Sequence, residues 1–212
     1  WHNWQPLLGV NRDIFLRSLA LSGVFLLITI QGARLGDATV AANALLLNGL
    51  LITAYALDGL AHAVEALCGH AIGARDRQTL RRSLVVSLGW SLIASSGFAV
   101  LFLLGGHVFV NLQTDIPTVR EAAYPFLPYL AVLPLSAVGS YLLDGLFIGA
   151  TRAREMRNAM LVSVVVMLPI GWWSTGFGNH GLWISFLLFM MLRAVTLGWI
   201  AWRLQRRDEW VS

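Results

Sequence analysis

Lysine is absent from this 212-residue chain, so all 15 of its basic side chains are arginine. Acids are scarce too: 11 aspartates and glutamates bring the charged fraction to only 12%. A soluble globular domain carries about twice that fraction. With 57% of residues hydrophobic, the composition excludes an ordinary soluble fold and indicates an integral membrane protein. Cys68 is the only cysteine, which excludes an intrachain disulfide, and within an apolar stretch it is expected to be a small core residue. There is no HExxH, GxSxG or GxxxxGK[ST] pattern, so the common zinc-peptidase, esterase and phosphate-loop chemistries lack their residues. No cofactor and no enzymatic activity are expected. The net charge of +4 would suit nucleic acid, but the arginines fall in short clusters between apolar runs. That pattern belongs to membrane topology, and no nucleic-acid partner is expected.

Long apolar runs are what the sequence has in abundance. A bilayer core about 30 Å thick takes roughly 20 apolar residues per helix, and six runs qualify, over approximately 13–34, 39–69, 82–105, 118–149, 157–175 and 181–203. In lipid each must satisfy its own backbone, so each should be helical, giving an all-α bundle with short connections and no extramembrane domain. The second and fourth runs are too long for upright helices and should tilt or bend. Pro125, Pro128 and Pro134 place a bend in the fourth.

Arginine sets the expected orientation. Six crossings put Arg12, Arg17, Arg75, Arg77, Arg81, Arg82, Arg152, Arg154, Arg157, Arg203, Arg206 and Arg207 on one side. Arg34 and Arg120 fall on the other, and Arg193 inside the last run. Positive charge favours the cytoplasmic face, so both ends are expected there. The chain opens on Trp1, and "WHNWQPLLGVNRD" lacks the basic start, apolar middle and cleavage site of a signal peptide. The expectation is a segment of a longer polypeptide.

Three acids lie deep in these runs. Tyr55, Asp58, His62 and Glu65 are spaced by three, four and three, which puts them on one face of a helix, opposite Leu57, Leu60, Ala61, Val64 and Leu67. Asp144 lies in the fourth run. Asn43, Asn48 and Thr53 add neutral polarity to the second. One charged group at the bilayer centre costs about 3 kcal/mol on insertion scales; three such groups rival the stability of a whole domain. Protonation, ion pairing or a water-filled cavity relieves that cost. A stripe lining a pathway could carry a proton or a monovalent cation. The structural alternative is that Asp58 and Glu65 neutralise Arg17 or Arg193 and bridge helices. His62 and Glu65 with His70 form a second alternative, a metal site in a membrane-embedded enzyme, although that spacing supplies at most two ligands on one turn. The second and fourth runs also end alike, Gly69-His-Ala-Ile-Gly-Ala74 and Gly145-Leu-Phe-Ile-Gly-Ala150. Small residues four apart permit close helix packing; a repeated structural unit is the other reading.

"NRDIFLRSL", "AYALDGLAHAVEALCGHAIGARD" and "YLLDGLFIGATRAREMRNAM" resemble the C-terminal half of multidrug and toxic compound extrusion (MATE) transporters, and most closely the DinF branch. The similarity covers residues 8–205. It implies a six-helix lobe of a twelve-helix antiporter in a bacterial inner membrane, the second of two lobes related by a pseudo-twofold axis. It implies export of drugs or other amphipathic small molecules in exchange for protons or sodium. The partner is then the N-terminal lobe, in the same polypeptide or a second copy. On that resemblance Asp144, Asp58 and Glu65 bind or relay the coupling ion, with Asp144 on the helix that matches a cation-binding acid of one branch. Tyr55, His62, Asn43 and Asn48 line the cavity. Other members place the key acid in the lobe this chain does not include. A lipid-precursor flippase of the wider superfamily is the nearest alternative, and a non-transporting lobe that assembles with a separate chain is a third.

Overall fold

A backbone in lipid has no water to bond to and closes its own hydrogen bonds. All six apolar runs are helical in the computed structural model, which describes residues 4–210. Trp1, on which the expectation of a longer polypeptide rests, lies outside them. The helices are α1 (Trp4–Ala33), α2 (Asp37–Gly73), α3 (Arg77–Gln113), α4 (Pro117–Ala123), α5 (Leu127–Gly149), α6 (Ala153–Ser174) and α7 (Gly178–Arg206). Among the described residues five segments are long and apolar enough to cross a membrane: α1, α2, α3, the joined α4–α5, and Ala153–Arg206. The last folds back on itself at the 3-10 turn Thr175–Phe177. Ser174 faces Ser185 and Ser163 faces Thr196 through their hydroxyls, so α6 and α7 are antiparallel arms and the chain makes six helical passes.

Two of the three prolines mark the break in the fourth run, while Pro134 lies inside a continuous α5. Pro125 sits in the 3-10 turn Tyr124–Phe126 that divides the fourth run, and Pro128 occupies the first turn of α5, where its missing N–H leaves no bond unmade. α5 is the central helix. Leu130, Leu133 and Ala137 pack with Leu46 of α2 and with Trp183, Phe186, Phe189 and Met190 of α7 in one buried cluster. Val64, Cys68, Phe147, Met156 and Leu197 form a second, with Cys68 fully buried. α1 is the outlying helix, burying only Asp13 and Gly32.

α2 and α5 end in the same turn. Arg75 and Thr151 adopt left-handed φ of 56° and 57°. Asp76 N–H then bonds to Ala71 C=O and Arg152 N–H to Phe147 C=O, six residues closing on the first, with Arg75 to Ile72 and Thr151 to Ile148 inside them. The repeated Gly-x-x-x-Gly-Ala ending is thus a repeated helix stop. It gathers the arginine clusters at one end, where Arg157 pairs with Asp13, Arg77 with Asp208, and Arg152 with Glu155 and the Glu209 carbonyl.

Asp76 caps α3: its carboxylate accepts from the Thr79 hydroxyl (2.6 Å) and N–H (3.0 Å). These bonds, the hydroxyl first, hold its carboxyl below the ordinary aspartate value of 3.8. The folded state therefore favours the ionised form. That contribution is complete above the ordinary value and is lost as pH falls through the lowered one. In Asp76→Ala the first turn of α3 is expected to fray, with faster amide exchange at Thr79. The part of the acid destabilisation below about pH 4 that the wild type owes to this group should disappear.

Candidate functional site

Asp144 is the most enclosed acid of the fourth run, 4% exposed. Its position follows from the residue beside it. Gly145 lets α2 approach until a Cβ there would collide with the Ala61 carbonyl. Asp144 is therefore held between helices, facing α1 and α7. Its Oδ2 accepts from Arg17 Nη2 of α1 and from Arg193 Nη2 of α7, the latter at 2.8 Å. Arg193 is 3% exposed. Among the described residues Asp144 Oδ1 and Arg17 Nε have no hydrogen-bond partner.

The structural alternative offered Arg17 and Arg193 to Asp58 or Glu65; both arginines instead converge on Asp144. Arg17 also departs from the expectation that groups it with the interfacial arginines and leaves Arg193 as the one deep cation. Four residues after Asp13, it lies on the same face of α1, and both side chains turn into the bundle. Asp13 is itself buried, 6% exposed, and accepts from Arg157 of α6 at 2.6 Å. Sequence reading passed over this second acid because it stands at the margin of an apolar run. The signal was its place in "NRDIFLR", an acid and an arginine one turn apart where the run begins.

Asp58 lies on an exposed face of α2. It makes no hydrogen bond among the described residues, and it sits in the field of His62, Arg17, Asp144 and Arg193. Tyr141 of α5 shares that field. Hydrogen bonds join α1, α5 and α7 at Asp144, one carboxylate between two guanidinium groups, and among the described residues Asp58 and Tyr141 make no hydrogen bond to them. Both guanidinium hydrogen bonds of Asp144 end on Oδ2, whereas Asp58 makes none among the described residues.

The rest of the stripe is open. Tyr55 is 72% exposed, His62 is exposed and Glu65 half-buried, with His62 Nδ1 and Glu65 Oε2 3.2 Å apart. Leu57 and Val64 on the opposite face are buried, whereas Leu67 is exposed. Asn48 is exposed and donates to Gln113 Oε1 at 2.9 Å. Asn43 is enclosed: it exchanges two hydrogen bonds with Asn179 and accepts a third from Trp183 Nε1, fastening α2 to α7. His70 is exposed, and among the described residues no three of His, Cys, Asp and Glu gather as a metal site. The alternative built on His62, Glu65 and His70 has no third ligand in place.

The MatE family profile matches residues 14–173. The chain belongs to the MatE family. MATE relatives share nearly the whole of it. DNA damage-inducible protein F of Escherichia coli K12 is 43% identical over 99% of this chain and 46% of its own length. The probable multidrug resistance protein NorM of Xylella fastidiosa 9a5c is 26% identical over 94% of this chain and 43% of its own. Protein DETOXIFICATION 42 of Arabidopsis thaliana is 28% identical over 88% and 36%. The chain thus spans less than half the length of these relatives. Among solved structures, a MATE in the bent conformation superposes with a TM-score of 0.82 at 22% identity, covering 98% of this chain and 47% of that one. A MOP superfamily transporter from Pyrococcus furiosus gives 0.84 at 21%, covering 98% and 46%. At those identities the structures speak to fold alone, and the fold is that of MATE transporters.

Proposed function

We propose that this chain is one six-helix lobe of a MATE-type secondary antiporter that exports drugs or amphipathic organic compounds in exchange for protons or sodium. The family and the NorM and DETOXIFICATION names support the export of small molecules. The observation that carries the coupling role is that buried Asp144 is clamped by Arg17 and Arg193 while Asp58, on the exposed face of α2, is left without a partner among the described residues. In this reading Asp58 takes up the coupling ion, Asp144 holds the two arginines that set its field, and Glu65 with His62 continues the route along α2. Tyr55 and Asn48 face the substrate, and Asn43 keeps α2 seated on α7. The open stripe on α2 faces the other lobe across a shared cavity, that lobe belonging to the same polypeptide or to a second copy. The arginine-rich end is cytoplasmic, with both ends of the chain there, in a bacterial inner membrane.

The test is efflux driven by an imposed proton or sodium gradient, measured in proteoliposomes with the polypeptide that carries this chain. Asp58→Asn is expected to abolish ion-driven efflux while leaving substrate binding in place, and Glu65→Gln to slow it. Coupled efflux unchanged after Asp58, Glu65 and Asp144 are all neutralised would sink the proposal. One observation favours a second reading. With Arg17 beside Arg193 the interior is more cationic than one deep arginine implies, which suits the anionic headgroup of a flippase substrate. Transport of an anionic lipid precursor in place of a cationic dye would select it.

A further inference from the structure

A cavity of about 420 Å³ opens between α1, α6 and α7 at the end of the bundle away from the arginine clusters. It is separate from the Asp144 cluster, since neither Asp144 nor Arg17 nor Arg193 lines it. Its lining is graded along all three helices. Deep in the bundle it is walled by Met167, Phe186 and Phe189, all buried. Toward the helix ends it meets Gln31, Thr175 and Arg34. From Gly178 at the mouth to Phe189 at the floor is about 16 Å of helix at 1.5 Å per residue. Arg34 is the single charged residue of the lining, and among the described residues it makes no ion pair. The space thus has an apolar interior, a cationic rim and no acid to receive a cation.

We propose that this cavity binds an amphiphile with one apolar chain and one anionic head, the chain among Met167, Phe186 and Phe189 and the head at Arg34. A volume of this size falls in the range of small-molecule sites. The fit of charge runs opposite to what a cation-exporting surface would offer: an ammonium head would lie against Arg34 with no carboxylate in the lining. The site is independent of the coupling cluster, so failure of one leaves the other standing.

The test uses the polypeptide that carries this chain in zwitterionic nanodiscs, with radiolabelled dodecanoate as probe and dodecyltrimethylammonium as a competitor of equal chain length. Saturable dodecanoate binding that the cationic competitor does not displace is expected. Arg34→Gln should weaken binding about tenfold, as for a lost charge-assisted contact. Gly171→Leu adds a bulky side chain to the cavity lining at a position where a Cβ meets nothing within 4 Å, and it should abolish binding. Unaltered binding in both variants, or displacement by dodecyltrimethylammonium as readily as by unlabelled dodecanoate, overturns the proposal. Two sources share this chemistry. Release of dodecanoate across liposomes under an imposed ion gradient would mark it as cargo. Dodecanoate displacing a co-purified phospholipid, with no release, would mark the cavity as a resident-lipid site. Both are occupants of the kind proposed.

Discussion

Asp144→Ala is expected to destabilise the fold by about 3–5 kcal/mol, the range for breaking a buried ion pair from one side. The reason is what stays behind. Arg193, 3% exposed, and Arg17, with a side chain 17% exposed, would keep two guanidinium groups in the bundle with no counter-charge. Arginine as a residue type keeps its charge at working pH. Asp144→Asn retains an acceptor oxygen and should be milder, though still destabilising. Removing the whole unit is expected to do the least harm, because an apolar replacement of similar shape leaves no orphan. The triple variant Asp144→Leu, Arg17→Met, Arg193→Met should therefore approach the parent in stability while losing coupled transport. Denaturant unfolding in mixed micelles measures all of these. A single Asp144→Ala change within about 1 kcal/mol of the parent, the effect of an ordinary substitution, would mean that water or lipid reaches the cluster and that Asp144 is not the anchor assigned to it. The non-additivity matters most: the triple variant should be more stable than the single one, which no account based on independent contacts can produce.

The helices were legible because lipid leaves the backbone one solution. Apolar run length and arginine spacing locate the runs, and Pro125 marks the break that divides α4 from α5. The partners of the deep acids were not legible. Arg17 stands four residues into the first apolar run, where a positional rule counts it as interfacial. Only the packing of α1 against the bundle shows its side chain turning inward to Asp144. Asn43 had the same ambiguity. A polar residue on a membrane helix can face a cavity or another helix, and the choice depends on Asn179 and Trp183, more than 130 residues further along the chain by numbering. The α2 stripe kept its helical geometry, since spacing alone fixes which residues share a face. That this face would be the open one depends on which side of α2 meets α5, and glycine decides that.

Gly145→Ala is expected to damage both stability and coupling, and the glycines of α2 and α5 give an internal scale. At Gly145 a Cβ would collide with the Ala61 carbonyl and lie 3.1 Å from Val64 Cβ; at Gly149 it would stand 2.5 Å from the Glu65 carbonyl oxygen. At Gly69 it would lie 3.1 Å from the Gly149 carbonyl. The near atoms at these sites are mostly backbone, so no side chain can swing aside and the two helices must separate. Overpacking costs about 1–3 kcal/mol and occasionally more, and Gly145→Ala should fall at or above the top of that range, followed by Gly149→Ala and then Gly69→Ala. Gly59 and Gly73 of α2 have open space where a Cβ would go. Alanine there should be neutral or should stabilise the helix by up to about 1 kcal/mol through propensity alone. If Gly145→Ala matched Gly59→Ala in unfolding experiments, the α2–α5 contact described above would be wrong. The functional consequence follows from the same geometry. Ala61 and the Glu65 backbone are among the parts of α2 that touch α5, while Asp58, His62 and the Glu65 side chain ride on the same helix. Pushing α2 outward moves Asp58 away from the field of Arg17, Asp144 and Arg193 with none of these residues changed. Coupled efflux should therefore fall in Gly145→Ala by more than its loss of folded protein explains, whereas Gly59→Ala, next to Asp58 in sequence but clear of α5, should leave it intact.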